Sequence, residues 1–340
     1  MKRHANIPIF IPHLGCPNQC VFCNQRHISG VERFDPSSVI PIIDEALSTI
    51  GGDREVEIAF FGGSFTGIDR ELMVNLLQIA NKYIQSGAVS AIRCSTRPDY
   101  INDEILDILE KYGVKTIELG LQSASDTVLS ASKRGHTRAD ELYACNLIRE
   151  RGFSLVGQMM IGLPSATPES ELETARFIAD MKATAARIYP TVVFRDTELC
   201  NMAFCGEYTP LTVEDAVERT AKPLQLLLSS GVEVIRIGLC ASENLTSDTA
   251  YFAGPNHPAL GELVISRLYY LNIREALASV DTAEKSLVIY VSQGALSKAI
   301  GQRRTNKFRL IQEFGLADVE FRECSTLKGY EFKLEFEGDI

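Results

Sequence analysis

A chain of 340 residues, 45% hydrophobic and 23% charged, can bury a large core, and that balance excludes an intrinsically disordered protein. Its formal net charge of -10 argues against a nucleic-acid surface spread over the whole molecule, so any basic patch has to be local. Nine cysteines, an odd number, do not fit a small secreted disulfide framework and point instead to a reducing cytoplasm.

The N-terminus, MKRHANIPIFIPHLGCPN, has an apolar run of only about six residues broken by prolines, short of a signal peptide or membrane segment. Export and membrane insertion are therefore not expected. From there, short apolar runs alternate with amphipathic helical stretches. IPIFI is followed by a helix from about Pro36, EVEIAFF by a helix from about Asp69, and SAIRCS by a helix from about Asn102. KTIELGL precedes a helix around 138–151, and FSLVGQMMI precedes a helix opened by SATPESE near Thr167. ARIYPTVV, read as one strand, leads to a helix from about Thr212 and then VEVIRIGL. Repeated βα units imply a parallel sheet covered by helices, either open and doubly wound or curled into a full or partial barrel.

Past residue 240 this rhythm lapses into a polar connection and a helix ending near Ala278. The remainder reads strand (SLVIYV), helix (GALSKAIG), basic turn (QRRTN), helix (KFRLIQEFG) and two strands (VEFRE, YEFKLEF). The expected organisation is a barrel over 1–240, a connecting segment over 241–284 and a small α+β domain over 285–340.

In parallel α/β folds the chemistry gathers at the carboxyl ends of the strands. Here the loop after strand one carries Cys16, Cys20 and Cys23, and GGSFTG, STRPD, QS and GLP follow strands two to five. The spacing CxxxCxxC can surround one metal centre. A closed structural zinc site needs four ligands, and no second cysteine pair matches. Three cysteines without a fourth leave one iron of a 4Fe-4S cluster open to a substrate or cosubstrate. A zinc site completed by His13 or His27 is the alternative, and Phe22 would give a cluster apolar cover. Cys94, Cys145 and Cys240 read as small buried hydrophobes, and Cys200 and Cys205 lack a third ligand.

These motifs resemble the radical S-adenosylmethionine superfamily, over about residues 5–240. The resemblance implies a partial (β/α)6 TIM-type barrel, a 4Fe-4S cluster on Cys16, Cys20 and Cys23, and S-adenosylmethionine chelating the open iron. It also implies reductive cleavage to a 5'-deoxyadenosyl radical that abstracts hydrogen from a substrate, with electrons from a reductant protein such as flavodoxin or ferredoxin. Gly62, Gly63 and Ser64 look like the glycine-rich seat for the methionine amino end. Within the superfamily, STRPDYI, LGLQSASDTVLSASKRGHT, GFSLVGQMMIGLPSATPES and ARIYPTVVFRDTEL resemble the catalytic subunits of Elongator and, more distantly, oxygen-independent coproporphyrinogen oxidase. Gln122, Arg134 and Gln158 then fall where the nucleoside and carboxylate of S-adenosylmethionine are held, Arg134 suiting a carboxylate. Three departures stand out: Ser95 replaces a glutamate of those relatives, the cysteine spacing is the short superfamily form, and 340 residues leave no room for an acetyltransferase domain.

The C-terminal stretch resembles a KH domain, which clamps RNA with a GXXG loop, although here the loop reads Gly301-Gln302-Arg303-Arg304. Lys298, Arg303, Arg304 and Lys307, with Arg309, make the local basic patch of an acidic chain. The expected substrate is RNA, with transfer RNA first. A small molecule such as a tetrapyrrole, or a non-catalytic cluster-containing RNA-binding protein, are the alternatives.

Overall fold

The computed structural model describes residues 3–17, 20–26, 30–31, 33–51, 54–239 and 250–336, so His27 and Cys240 lie outside the described residues. The chain packs as two compact units, residues 1–212 with 226–256, and residues 213–225 with 257–340.

In the first unit, strands β1 (Arg3–Ile11), β2 (Arg54–Gly62), β3 (Ala91–Thr96), β4 (Val114–Gln122), β5 (Ser154–Ile161) and β6 (Ala185–Pro190) pair in sequence order, all parallel. Helices α1 (Val39–Thr49), α2 (Arg70–Gln85), α3 (Asp103–Lys111), α4 (Asp126–Ala131), α5 (Arg138–Glu150) and α6 (Pro168–Asp180) fall between successive strands. Their starts follow from the sequence. Asp69 accepts from Leu72 N, Asn102 from Ile105 N, and Thr137 and Thr167 form reciprocal capping boxes with Asp140 and Ser170. Each side-chain oxygen satisfies one backbone donor that a helix start leaves open.

One expectation needs correction. ARIYPTVV is two strands: β6 ends at Pro190, and β7 (Val193–Phe194) turns away to pair antiparallel with β9 (Tyr251–Ala253). Proline has no N–H to extend a ladder, so the break falls where the donor is missing. The VEVIRIGL run forms β8 (Glu233–Ile237), the seventh strand, which adds in parallel to β6.

The sheet is curled. Strands β2 and β6 are four places apart, about 19 Å in a flat sheet, yet the Arg187 guanidinium of β6 lies 5.6 Å from the centre of the Phe61 ring of β2. Among the described residues its edges, β1 and β8, pair on one side only. The result is a half-barrel.

Its concave face carries charge. Arg93 Nε donates to Glu57 Oε2 at 2.7 Å and its Nη1 to Glu118 Oε1 at 2.9 Å, while Arg187 forks onto both Glu118 oxygens at 2.9 and 3.1 Å. Isolated buried charges are costly, and this girdle pairs all four. Helices α7 (Glu198–Phe204) and α8 (Val213–Ser229) follow β7.

In the second unit, β10 (Ser286–Ser292) lies between β11 (Asp318–Cys324), which is parallel to it, and β12 (Phe332–Phe336), which is antiparallel. Helices α9 (Leu260–Leu277), α10 (Leu296–Ile300) and α11 (Thr305–Phe314) accompany this sheet, and Tyr269, Ile273, Leu277, Leu310 and Phe321 share its apolar core. No helix among the described residues is long and apolar enough to cross a membrane.

Candidate cluster and cosubstrate site

Because every strand of the half-barrel runs the same way, the loops leaving β1 to β5 share one rim. The cysteine loop is tied to it by backbone and glutamine contacts. Gly63 N donates to Ile11 O at 2.8 Å and Ser64 N to Leu14 O at 3.0 Å. Gln25 donates through Nε2 to Gly62 O at 2.7 Å and through its backbone N–H to His13 Nε2 at 3.0 Å. Val21 N donates to Ser132 O at 3.2 Å, and Leu199 N to Val21 O at 2.8 Å. Each such bond stabilises by about 1 kcal/mol, so the loop is fastened to β2, to the α4–α5 connection and to α7. Phe22 packs with Val21, Val193 and Leu199 as apolar cover.

The glycines permit this approach. A Cβ on Gly63 would stand 2.0 Å from Leu14 O, and one on Gly15 would stand 2.1 Å from Ser64 O. Both obstacles are backbone, and Gly62 sits at φ +111°, so only glycine lets the two loops meet. Ser64 is fully buried, its hydroxyl 2.8 Å from Thr96 Oγ1.

Cys20 is buried, Cys16 and Cys23 are half-buried, and all three are unbridged. Burial, then the neighbouring Cys20, raises the Cys16 thiol, against the pull of Arg134 and Arg97. Burial, then Cys20 and Cys16, pushes the Cys23 thiol up to about 12. Burial thus disfavours the thiolate at Cys16 and Cys23, and a bound metal centre supplies the positive charge that offsets it.

Around the loop are buried polar atoms without a partner among the described residues: Arg97 Nη1, Gln122 Oε1 and Arg134 Nε. Arg134 donates to Cys20 Sγ at 3.2 Å and to Gly120 O at 2.5 Å. Gln122 is held at φ +73° at the end of β4. An unpaired buried polar group costs about 1–3 kcal/mol, so this rim is set for a polar ligand. Three thiols, a close-packed glycine seat and open donors and acceptors fit a cluster carrying an amino-acid cosubstrate.

Among the described residues, no three His, Cys, Asp or Glu side chains converge as a single-ion site, and His13 Nε2 is engaged by Gln25. Zinc ligands must meet at one ion, whereas cluster thiolates bind separate irons.

The rim thus gathers Cys16, Cys20, Cys23, Gly62, Gly63, Ser64, Gln122 and Arg134. Gln158 is half-buried within β5, in register with Gly120 and Arg187. The basic residues belong to the second unit. Arg303 and Arg304 are exposed at φ 53° and 61°, Lys307 pairs with Asp318 at 2.8 Å, and the Arg309 guanidinium lies 5.8 Å from the Tyr270 ring centre. Lys298 lines a cavity of about 340 Å³ with Tyr330 and Lys328.

Sequence reasoning did not single out Arg97, Gln25 or the His136–Glu141 pair. Arg97 stands in STRPD, directly after β3, where its rim position was legible but its bonding was not. His136 Nε2 lies 3.0 Å from Glu141 Oε1, with neither side chain exposed. Burial, then Arg134 and Arg97, lowers His136 to about 3, and burial raises the Glu141 carboxyl well above its usual range. A neutral imidazole facing a protonated carboxyl is the form this pocket favours.

Residues 10–178 match the radical SAM superfamily, and residues 183–270 match its C-terminal domain. The chain is 29% identical over 206 residues to the tRNA uridine(34) acetyltransferase of Methanocaldococcus jannaschii, covering 54% of this chain and 38% of that protein. It is 27% identical over 263 residues to human Elongator complex protein 3, covering 71% of this chain and 47% of that protein. The chain therefore spans less than half the length of these two relatives. The solved structure of Elp3 from Methanocaldococcus infernus shares the fold, with a TM-score of 0.63 at 22% identity, covering 82% of this chain and 64% of that one. With its cysteine loop at the mouth of a parallel half-barrel, the chain belongs to the radical SAM superfamily, whose members use a 4Fe-4S cluster and S-adenosylmethionine.

Proposed function

We propose that the chain is an Elongator-like radical S-adenosylmethionine enzyme that acts on RNA, with transfer RNA as the first substrate to test. The observation that carries the chemistry is a rim that holds three unbridged cysteines on one loop together with the open polar atoms of Arg97, Gln122 and Arg134. The RNA reading is supported by the two relatives named for transfer RNA modification and Elongator, and by the exposed Arg303–Arg304 turn.

In this reading Cys16, Cys20 and Cys23 hold the cluster. Bound together, cluster and cosubstrate supply one-electron cleavage and hydrogen abstraction. Backbone groups of Gly62, Gly63 and Ser64 receive the amino end of the cosubstrate. Arg134, already oriented by Gly120 O, presents its guanidinium to the carboxylate. Gln122 offers a buried amide oxygen to a donor of the nucleoside, and Gln158 reaches it from β5. Phe22 and its apolar neighbours keep water from the centre, which strengthens each of these polar contacts. The KH-like identity of residues 285–340 belongs to this proposal, with Lys298, Arg303, Arg304 and Lys307 as its RNA contacts.

The test is 5'-deoxyadenosine formation by anaerobically reconstituted protein with a strong reductant, with and without unmodified total RNA, beside Cys20→Ala. The expected result is turnover that RNA raises and the variant abolishes. Turnover indifferent to RNA would redirect the substrate to a small molecule. No turnover from an intact cluster would overturn the enzymatic reading.

A further inference from the structure

The cavity of about 340 Å³ in the second unit lies where two turns meet. One leads from β10 into α10 and contributes Ser292, Gly294 and Lys298; the other leads from β11 to β12 and contributes Ser325, Lys328 and Tyr330. No residue of the Gly301–Arg304 turn lines it, so it is a place apart from the exposed arginines. Its walls are tied together. Ser292 Oγ donates to Gly329 O at 2.6 Å and the Tyr269 hydroxyl to the same oxygen at 3.4 Å, which pins the β11–β12 turn to β10 and to α9. The buried Tyr269 ring also meets the half-buried Tyr330 ring edge-on, with centres 6.2 Å apart at 70°, and so fixes its orientation.

The charge in this cavity is one-sided. The chain carries 44 Asp and Glu against 34 Lys and Arg, yet no carboxylate stands in the lining. Two carboxylates at its border are taken by backbone: Glu323 Oε1 accepts from Gly294 N at 2.9 Å and Glu331 Oε2 from Lys328 N at 2.8 Å. The ammonium groups of Lys298 and Lys328 have no carboxylate partner among the described residues, whereas nearby Lys307 and Lys333 do. Two cations, serine hydroxyls and a fixed aromatic ring match the parts of one nucleotide: charge for its phosphate, donors and acceptors for its polar edges and a ring for its base. The volume is at the small end of ligand sites, enough for a single nucleotide. A duplex keeps its bases stacked inside and presents none to a side-chain ring.

We infer that this cavity receives one unpaired nucleotide of a single-stranded RNA segment, its phosphate on Lys298 and Lys328 and its base on Tyr330. The inference rests on the reading that the chain binds RNA, and it makes that binding selective for unpaired over paired strands.

The test is binding of the full chain to a short fluorescein-labelled oligouridylate, to a blunt duplex RNA and to uridine monophosphate. Tyr330→Leu should weaken oligouridylate binding by about tenfold and leave duplex binding unchanged, while Tyr330→Phe, which keeps the ring, should bind like the parent. The double variant Lys298→Gln, Lys328→Gln should lower the slope of log affinity against log salt by about 1.4, at about 0.7 for each phosphate contact on a single strand. Irradiating the parent chain with an oligouridylate carrying 5-iodouridine should cross-link it at Tyr330, a readout that needs no variant. Should Tyr330→Leu not fold, the cross-link and the salt slope decide. Oligouridylate binding that is unchanged in Tyr330→Leu, a cross-link confined to other residues or an unchanged slope would each overturn the pocket while leaving the RNA reading in place. Uridine monophosphate bound as tightly as the oligouridylate would also overturn it, making the cavity a site for a free nucleotide. A parent chain that binds neither the single strand nor the duplex would overturn the RNA reading itself.

Discussion

At the scale of single residues, the rim was legible where a residue type has few uses and obscure where bonding decides the role. Three cysteines in eight positions and a glycine pair after the second strand admit few structural readings. Glu141 illustrates the opposite case. Its sequence context is an ordinary amphipathic helix, and only packing shows that the carboxyl is fully buried against His136. Because burial raises its folded pKa above the unfolded value, the stability linked to the protonated form is present at low pH and lost as pH rises toward the folded value. Glu141→Gln keeps a polar partner for His136 and cannot ionise. Its urea midpoint should match the parent at about pH 4 and exceed it increasingly toward about pH 8; a gap that does not widen with pH would refute the assignment.

At the scale of elements, periodicity located the strands and capping residues located the helix starts. Asp69, Asn102 and Thr167 all stand where the helices begin. The break at Pro190 escaped because apolar residues continue beyond it and the lost donor matters only once a ladder exists. The charged girdle escaped for a related reason: Glu57, Arg93, Glu118 and Arg187 are far apart in sequence, and alternation alone would have turned them to solvent. Glu118 is the hinge of this set, because Arg93 keeps Glu57 if it is lost, whereas Arg187 loses both its bonds to a carboxylate. Glu118→Gln should cost about 3–5 kcal/mol and Glu57→Gln less, both read from denaturant midpoints at unchanged slope. Equal losses would show that the girdle does not depend on Glu118.

At the scale of the whole molecule, the acidic net charge concealed a basic turn. Arg303 and Arg304 are exposed in consecutive left-handed conformations, an arrangement that non-glycine residues adopt reluctantly. The double variant Arg303→Glu, Arg304→Glu should weaken RNA binding and reduce the slope of log affinity against log salt by about two, with RNA-independent 5'-deoxyadenosine formation unchanged. An unaltered slope would remove this turn from the interface. Lys307, by contrast, already pairs with Asp318 and has less charge to offer a phosphate.

The sequence by itself determined the βα rhythm, the loop that carries the thiols and the glycines that let two loops touch, because each is a local consequence of residue type and spacing. Spacing alone left a zinc site open beside a cluster, and the resemblance that these motifs carry is what pointed to the chemical class. Only the tertiary structure decided that the sheet curls, that β7 leaves it after Pro190, and that four distant charges neutralise one another inside. It also left Arg97, Gln122 and Arg134 each with one polar atom unpaired beside the thiols. Those outcomes depend on which side chains meet across the barrel, and contacts between residues remote in sequence are set by packing, which no local pattern encodes.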